Sequence, residues 1–104
     1  MKELYWLGTS LDDLKGFPVD IRREAGTDLR LVQQGVDPRD WKPMPAIGKG
    51  AREIRIRSAD GTWRVFYVVE NAGAVYVLHA FQKKVQKTAQ KDIEKGKARY
   101  RLIP

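Results

Sequence analysis

Side chains that can bind phosphate and transfer protons alternate with apolar residues in the middle of the chain. Three strand-like runs lie between residues 52 and 87, and successive side chains of a strand point to opposite faces. Alternation assigns one mixed set to a single face of the predicted sheet: Glu53, Arg55, Arg64, His79, Phe81 and Lys83. This set combines cations, a carboxylate, an imidazole and an aromatic ring. It can bind a phosphodiester, stack on a base and move a proton.

Three of these residues also have a purely structural interpretation. Arg55, like Arg57, can be a solvated position of the sheet. Arg64 lies in an apolar strand and can form an ion pair with Glu53, and a single strand histidine such as His79 is often a packing residue. The sequence leaves these alternatives open.

Turn signals separate the three runs. Asp60-Gly61 is a dipeptide that tight two-residue hairpins favour, and residues 71–73 include Asn and Gly, which tolerate positive φ. The region is therefore predicted to be a three-stranded antiparallel meander.

Further elements that position the meander are predicted before and after it. Residues 4–7 form a short apolar run typical of a strand, and Ser10 with Asp13 has the spacing of a capping box, which predicts a short helix. A second helix begins after Pro18 and ends near Gly35. Its apolar stripe consists of Ile21, Ala25, Leu29 and Val32.

The segment between this helix and the meander differs in composition. Residues 36–50 contain three prolines and two glycines, which predict a loop without regular structure. After the meander, residues 89–99 are predicted to form a last helix with Thr88 as its cap.

The predicted element order is β-α-α-β-β-β-α. It indicates a single α+β domain over residues 1–104, with an antiparallel sheet and its helices packed on one face. The other face is then partly open, and we expect the chemistry there.

Composition narrows the class of partner. The chain has 20 Lys+Arg and 13 Asp+Glu, a formal charge of +7 and a pI of about 9.9, which favours nucleic acid, an anionic membrane surface or an acidic protein. Cysteine is absent and His79 is the single histidine, so we expect neither a disulfide nor a metal site nor a cofactor. No signal peptide or membrane-spanning run is visible, so we expect a cytoplasmic protein without a membrane partner.

The run GKGAREIRIRSADGTWRVFYVVENAGAVYVLHAFQKKVQKT resembles the core of the RelE/ParE superfamily toxins, and is most similar to their phage-derived, HigB-like branch. The upstream SLDDLKGFPVDIRREAG and WKPMPAIGKG resemble the same branch. The resemblance implies a small RelE-like fold with a curved sheet, and a toxin of a type II toxin–antitoxin system that a cognate antitoxin, expected to be of helix-turn-helix type, holds inactive.

The resemblance also implies an activity, because many relatives cut messenger RNA on the ribosome without a metal. The 2′-hydroxyl attacks its adjacent phosphate and leaves a cyclic phosphate and a 5′-hydroxyl. This reaction needs cations, an acid and a base.

Carried onto this chain, Arg64 would grip the scissile phosphate, Lys83 would be a second phosphate ligand or proton donor, and Arg55 would occupy another basic position. His79 and Glu53 are the two candidate bases, and His79 is preferred because imidazole titrates near neutral pH. Phe81 would stack on a base. Contacts to the RNA backbone are expected from Lys49, Arg52, Arg57, Lys84 and Lys87.

Two other functions stay open. One is a non-catalytic growth inhibitor, like the branch of the superfamily that poisons DNA gyrase. The other is a non-toxic RNA-binding protein of phage origin. The chain also departs from the family pattern, since Ala89 stands where proline is expected and Gly96 where a better helix former is expected.

Overall fold

The computed structural model describes residues 1–70, 73–84 and 88–104. Asn71 and Ala72 of the predicted second turn lie outside this range, as does Lys87. The elements, in chain order, are β1 (Glu3–Trp6), α1 (Ser10–Lys15), α2 (Val19–Gln33), β2 (Trp41–Pro43), β3 (Ala51–Ser58), β4 (Gly61–Glu70), β5 (Ala74–Lys83) and α3 (Gln90–Tyr100).

The five strands form one sheet in the order β1-β5-β4-β3-β2. The meander of β3, β4 and β5 is antiparallel, as predicted, but β1 pairs with β5 in parallel, so the expectation of a purely antiparallel sheet was wrong. The chain must cross from β1 to the far side of the sheet through α1 and α2, and β1 therefore pairs with the last strand rather than with the next one.

The additional strand β2 lies inside the segment that was predicted to have no regular structure. It pairs with β3 at one edge of the sheet. Its last residue is Pro43, which an edge strand tolerates because only one side of its backbone is hydrogen-bonded.

Helix α2 packs through the stripe that the sequence predicted. Ile21, Ala25, Leu29 and Val32 are all buried, and together with α1 they cover one face of the sheet. The start of α1 differs slightly from the prediction: the helix begins at Ser10, whose hydroxyl donates a hydrogen bond to the Val77 carbonyl at 3.2 Å instead of capping the helix.

Helix α3 packs on the opposite face, so the prediction that all helices share one face was wrong. Ile93 and Tyr100 of α3 contact a second core that includes Ile47, Phe66 and Leu78. Gly96 explains how closely α3 approaches: a Cβ atom built there would lie 2.9 Å from Ile47 Cδ1 and 3.0 Å from Phe66 Cδ2. A residue of low helix propensity thus permits the close packing of the helix.

A β-bulge interrupts the regular alternation in β5. Phe66 of β4 pairs with His79, but the next residue, Tyr67, pairs with Val77, which leaves Leu78 as the extra residue. Strict alternation predicts that Leu78 faces away from His79, whereas both lie on the α3 side of the sheet. Within the described residues, no helix is long and apolar enough to cross a membrane.

Candidate functional site

Three rows of paired residues cross β3, β4 and β5 on the face that α3 partly covers. The register brings the predicted set together on this face, because each row takes one residue from each strand. The rows are Arg57–Thr62–Lys83, Arg55–Arg64–Phe81 and Glu53–Phe66–His79.

Helix α3 divides this face into two halves. We call the part beneath α3, consisting of Phe66, Leu78 and His79, the helix-covered half. The remaining part, which we call the cationic half, comprises Lys42, Glu53, Arg55, Arg64 and Lys83. Phe81 lies at the boundary between the two halves.

A buried ion pair forms the floor of the cationic half. Arg64 is 5% exposed and Glu53 is fully buried, and the Arg64 Nη1 group donates a hydrogen bond to Glu53 Oε1. Glu53 Oε2 and Arg64 Nε are buried without a hydrogen-bond partner among the described residues. An unpaired buried polar atom costs free energy, so each of these two atoms would gain from a hydrogen bond to a polar ligand or a water molecule.

Lys83 lies above this pair at the end of β5 and is half-buried. Burial lowers the pKa of Lys83, and the positive charge of Arg64 lowers it further. Glu53 acts in the opposite direction, while Lys42 and Arg55 add to the lowering. A lysine with a lowered pKa gives up its proton more readily, which suits proton donation at neutral pH.

His79 lies in the helix-covered half and is 3% exposed. Its Nε2 is 2.7 Å from Asp92 Oδ1 of α3, and its Nδ1 is 3.5 Å from Arg99 Nη1. Burial lowers the pKa of His79, and the hydrogen bond to Asp92 opposes that effect. These contacts match the packing interpretation of His79 rather than the preferred role as an accessible base.

Phe81 connects the two halves. Its ring stacks on the His79 ring with 4.8 Å between centroids and an interplanar angle of 16°, and it meets Phe66 edge-on at 5.1 Å. A cleft of about 260 Å³ lies beside Phe81, between Lys83 and the start of α3 near Ala89. A flat aromatic ring at the border of a cleft is a suitable surface for stacking.

Arg55 and Arg57 share one acidic partner. Arg55 Nε and Nη2 donate to Asp40 Oδ1 at 3.0 and 2.7 Å, and Arg57 Nε lies 3.8 Å from Asp40 Oδ2. Arg55 therefore points at an acid of its own chain. Arg57 is exposed and bound more loosely, and Lys84 is exposed beyond the end of β5.

The structure separates two other predicted RNA contacts from this face. Arg52 points to the α2 side, where it donates to Asp37 at 3.0 Å and its guanidinium carbon lies 4.2 Å from the centroid of Trp41. Lys49 precedes the opposite end of β3, and the spacing of strand residues places that end about 20 Å from Lys83. Lys49 and Arg52 therefore lie away from Lys83, and their expected contacts to the RNA backbone stay a prediction. Lys87 lies outside the described residues.

Sequence reasoning missed Lys42, Asp92 and Arg99. Lys42 stands in a proline-rich segment whose strand was not predicted, and it pairs with Glu53 across β2 and β3. Arg99 of the predicted last helix was given no role, but it donates to the Leu78 carbonyl at 3.0 Å and to Thr9 Oγ1 at 3.0 Å. A regular i, i+4 spacing from Asp92 to Gly96 and Tyr100 was the available signal that this helical face turns inward.

Comparison with known proteins identifies a sequence family. Residues 12–101 match the model of the family described as "Phage derived protein Gp49-like (DUF891)". No curated protein sequence matches the chain.

Solved structures identify the fold. The isolated E. coli RelE toxin superposes with a TM-score of 0.62 and 17% identity, covering 90% of this chain and 97% of that one. A chain of the intact E. coli RelBE toxin–antitoxin complex superposes with a TM-score of 0.59 and 16% identity, covering 82% of this chain and 100% of that one. A chain of the RelBE2 toxin–antitoxin complex from Mycobacterium tuberculosis superposes with a TM-score of 0.54 and 21% identity, covering 79% of this chain and 98% of that one. The predicted RelE-like fold is therefore confirmed.

Proposed function

The chain belongs to the phage-derived Gp49-like family (DUF891), and on that premise we propose that it is the toxin component of a type II toxin–antitoxin module. Two of the solved structures with this fold are complexes of a toxin with its antitoxin. A cognate antitoxin, expected to be a helix-turn-helix protein encoded beside it, is the corresponding partner of this chain.

The activity that the site supports best is metal-independent cleavage of messenger RNA on the ribosome, in the cytoplasm. The observation that carries it is the cationic half itself: Arg64 and Lys83 lie on one face in neighbouring rows, and Phe81 is directly across from Arg64. Cations positioned beside a stacking surface stabilise the charge that grows on a phosphate during displacement.

In this reaction the 2′-hydroxyl oxygen bonds to the adjacent phosphorus, the bond from phosphorus to the 5′-oxygen breaks, and a 2′,3′-cyclic phosphate remains. Arg64 is held in place by Glu53, and its buried Nε–H has no acceptor among the described residues, so a phosphate oxygen can serve as its acceptor once the surrounding side chains rearrange. Lys83 donates the proton that the leaving 5′-oxygen takes up, because its pKa is lowered. Phe81 stacks on a nucleotide base, which stabilises binding by roughly 1–3 kcal/mol.

Of the two predicted bases for the 2′-hydroxyl, Glu53 is better placed than His79. Glu53 lies in the cationic half and its Oε2 has no partner among the described residues, whereas His79 lies beneath α3 with Asp92 on its Nε2. Glu53 is fully buried, so a 2′-hydroxyl reaches it only after the surrounding side chains rearrange. Catalytic hydrogen bonds often form only in the complex with substrate.

The burial of both bases also favours a second candidate function. A non-catalytic inhibitor of the gyrase-poison type needs the basic surface but no accessible base, and neither His79 nor Glu53 is accessible. The two candidates differ in what happens to messenger RNA.

Inducing the chain without its antitoxin gene and mapping new RNA ends across the transcriptome separates them. We expect growth arrest with new 5′-hydroxyl ends in translated messages, and a strong loss of both with Lys83→Met. Lys15→Met, on the other side of the molecule, is the matched control. Arrest with intact messages and a DNA-damage response would favour the gyrase-type inhibitor, and unaffected growth would favour a non-toxic RNA-binding protein.

A further inference from the structure

Lys42 stands in the short edge strand β2, directly across from Glu53. Its Nζ lies 3.9 Å from Glu53 Oε1, and its side chain is 42% exposed. It therefore lies next to the buried Glu53–Arg64 pair and reaches the surface, which Arg64 with 5% exposure scarcely does.

The arrangement determines which cations an incoming phosphate meets first. Lys42 and Lys83 are both partly exposed, and each affects the buried pair or its surroundings: Lys42 through Glu53, and Lys83 through Arg64. They approach the pair from different strands, β2 and β5, with β3 and β4 between them. A single-stranded backbone that binds at Arg64 therefore has a partly exposed amino group on each side, one from β2 and one from β5.

Lys42 is also easier to recruit than its basic neighbours. Arg55 is bound to Asp40 at 2.7 Å and Arg52 to Asp37 at 3.0 Å, both at hydrogen-bond distance. The amino group of Lys42 is 3.9 Å from its acid and partly in water, where an ion pair holds only weakly. A phosphate can therefore attract Lys42 without breaking a strong contact.

From these observations we infer that Lys42 is a further RNA-binding residue of this site and contacts a backbone phosphate next to the one that Lys83 and Arg64 bind. The inference rests on the proposed RNA substrate. Glu53 is then the common counter-charge of both cations. It holds Arg64 firmly, and it keeps the Lys42 amino group nearby until an RNA phosphate takes over as the partner of Lys42.

The test measures binding separately from cleavage. A short single-stranded oligonucleotide with 2′-O-methyl groups cannot be cut by 2′-hydroxyl attack, and its affinity is measured by fluorescence anisotropy over a range of salt concentrations. Each phosphate contact adds about 0.7 to the slope of log K against log salt for a single strand. Lys42→Met is therefore expected to lower that slope by about 0.7 and to weaken binding alike for all sequences.

Two variants provide the controls. Lys42→Arg keeps the charge and should keep the wild-type slope, and Lys15→Met removes an exposed lysine from α1 on the other side of the sheet and should change nothing. Circular dichroism at each salt concentration shows that the variants are folded.

Equal slopes for wild type and Lys42→Met would overturn the inference, and so would the absence of RNA binding by the wild type. Neither result depends on catalysis. If the slope falls as expected but no message is cut in cells, the Lys42 contact stands and the proposed nuclease activity fails. If Lys83→Met abolishes cutting while Lys42→Met keeps the wild-type slope, the activity stands and the Lys42 contact fails.

Discussion

The two halves of the α3-side face each contain a buried pair of ionisable residues, yet they are built for different purposes. In the helix-covered half, His79 contacts Asp92 and lies near Arg99, and both of these residues belong to α3. In the cationic half, Glu53 holds Arg64, and partly exposed lysines surround the pair. The same type of contact thus anchors a helix in one place and fixes a cation near the surface in the other. The two pairs differ in their surroundings: α3 covers His79, whereas partly exposed lysines border Glu53 and Arg64.

Removing Arg64 should have the largest effect, because the buried carboxylate of Glu53 would lose its partner. We expect Arg64→Ala to lower the free energy of unfolding by about 3–5 kcal/mol, measured by urea denaturation. Cleavage should also fall by roughly 10²–10³-fold in the folded fraction, as for loss of a donor to a growing negative charge.

A paired substitution separates folding from function in this half. The double variant Glu53→Gln with Arg64→Met removes both charges at similar volume, and such replacements of a buried pair are often close to neutral for stability. It should therefore be folded but inactive. A single Arg64→Ala variant as stable as the wild type would contradict the burial that distinguishes this pair.

Gly96 tests the contact between α3 and the helix-covered half. In Gly96→Ala the new methyl group would press on Ile47 and Phe66, and we expect a loss of about 1–3 kcal/mol from overpacking. That loss exceeds the gain in helix propensity, which is at most about 1 kcal/mol. Gly26→Ala in α2 is the matched control. Its new Cβ would meet nothing within 4 Å, so this substitution should stabilise the protein through helix propensity alone. A stabilising Gly96→Ala would show that α3 packs more loosely than described.

The behaviour of His79 with pH distinguishes the two halves in another way. Its pKa is lowered in the folded protein, so the unfolded chain binds the proton more readily. The contribution of neutral His79 to the free energy of unfolding is therefore complete above the pKa of histidine in the unfolded chain, about 6.5, and is lost as the pH falls below that pKa. We expect thermal stability to decrease between pH 7.5 and 5.5, and His79→Gln to remove part of that decrease. An unchanged profile in His79→Gln would indicate that His79 does not titrate as a buried group.

A substitution of Ala89 should have the smallest effect on stability. It precedes α3 with φ −64° and ψ 142°, which are values that proline adopts. Ala89→Pro should therefore stabilise the protein by about 0.4–1 kcal/mol, because proline lowers the conformational entropy of the unfolded chain. A clear loss of stability, measured by thermal melting, would mean that the backbone before α3 needs its N–H group.

The sequence was sufficient for much of the fold but not for the division of this face. The stripe on α2 and the antiparallel meander follow from local periodicity, which a single sequence displays directly. The bulge at Leu78 and the strand β2 do not, since both depend on which strands become neighbours. The side on which α3 packs was hidden for the same reason, and Gly96 shows its purpose only beside Ile47 and Phe66.

The site shows the same limit. Alternation along the strands brought Arg55, Arg64, Phe81 and Lys83 to one face, because hairpin pairing preserves alternation. It could not show that Asp40 neutralises Arg55, or that Asp92 engages His79, because these partners come from distant segments. The cations were therefore easier to predict than the base.

The most direct test of the account is the chemistry of the RNA ends that purified protein makes on a ribosome-bound message. We predict fragments with a 5′-hydroxyl and a 2′,3′-cyclic phosphate from the wild type, and much slower appearance of the same fragments with Lys83→Met. Lys15→Met should match the wild type. Messages left intact by the wild type, or fragments with a 5′-phosphate, would contradict the assignment of RNA cleavage to the cationic half.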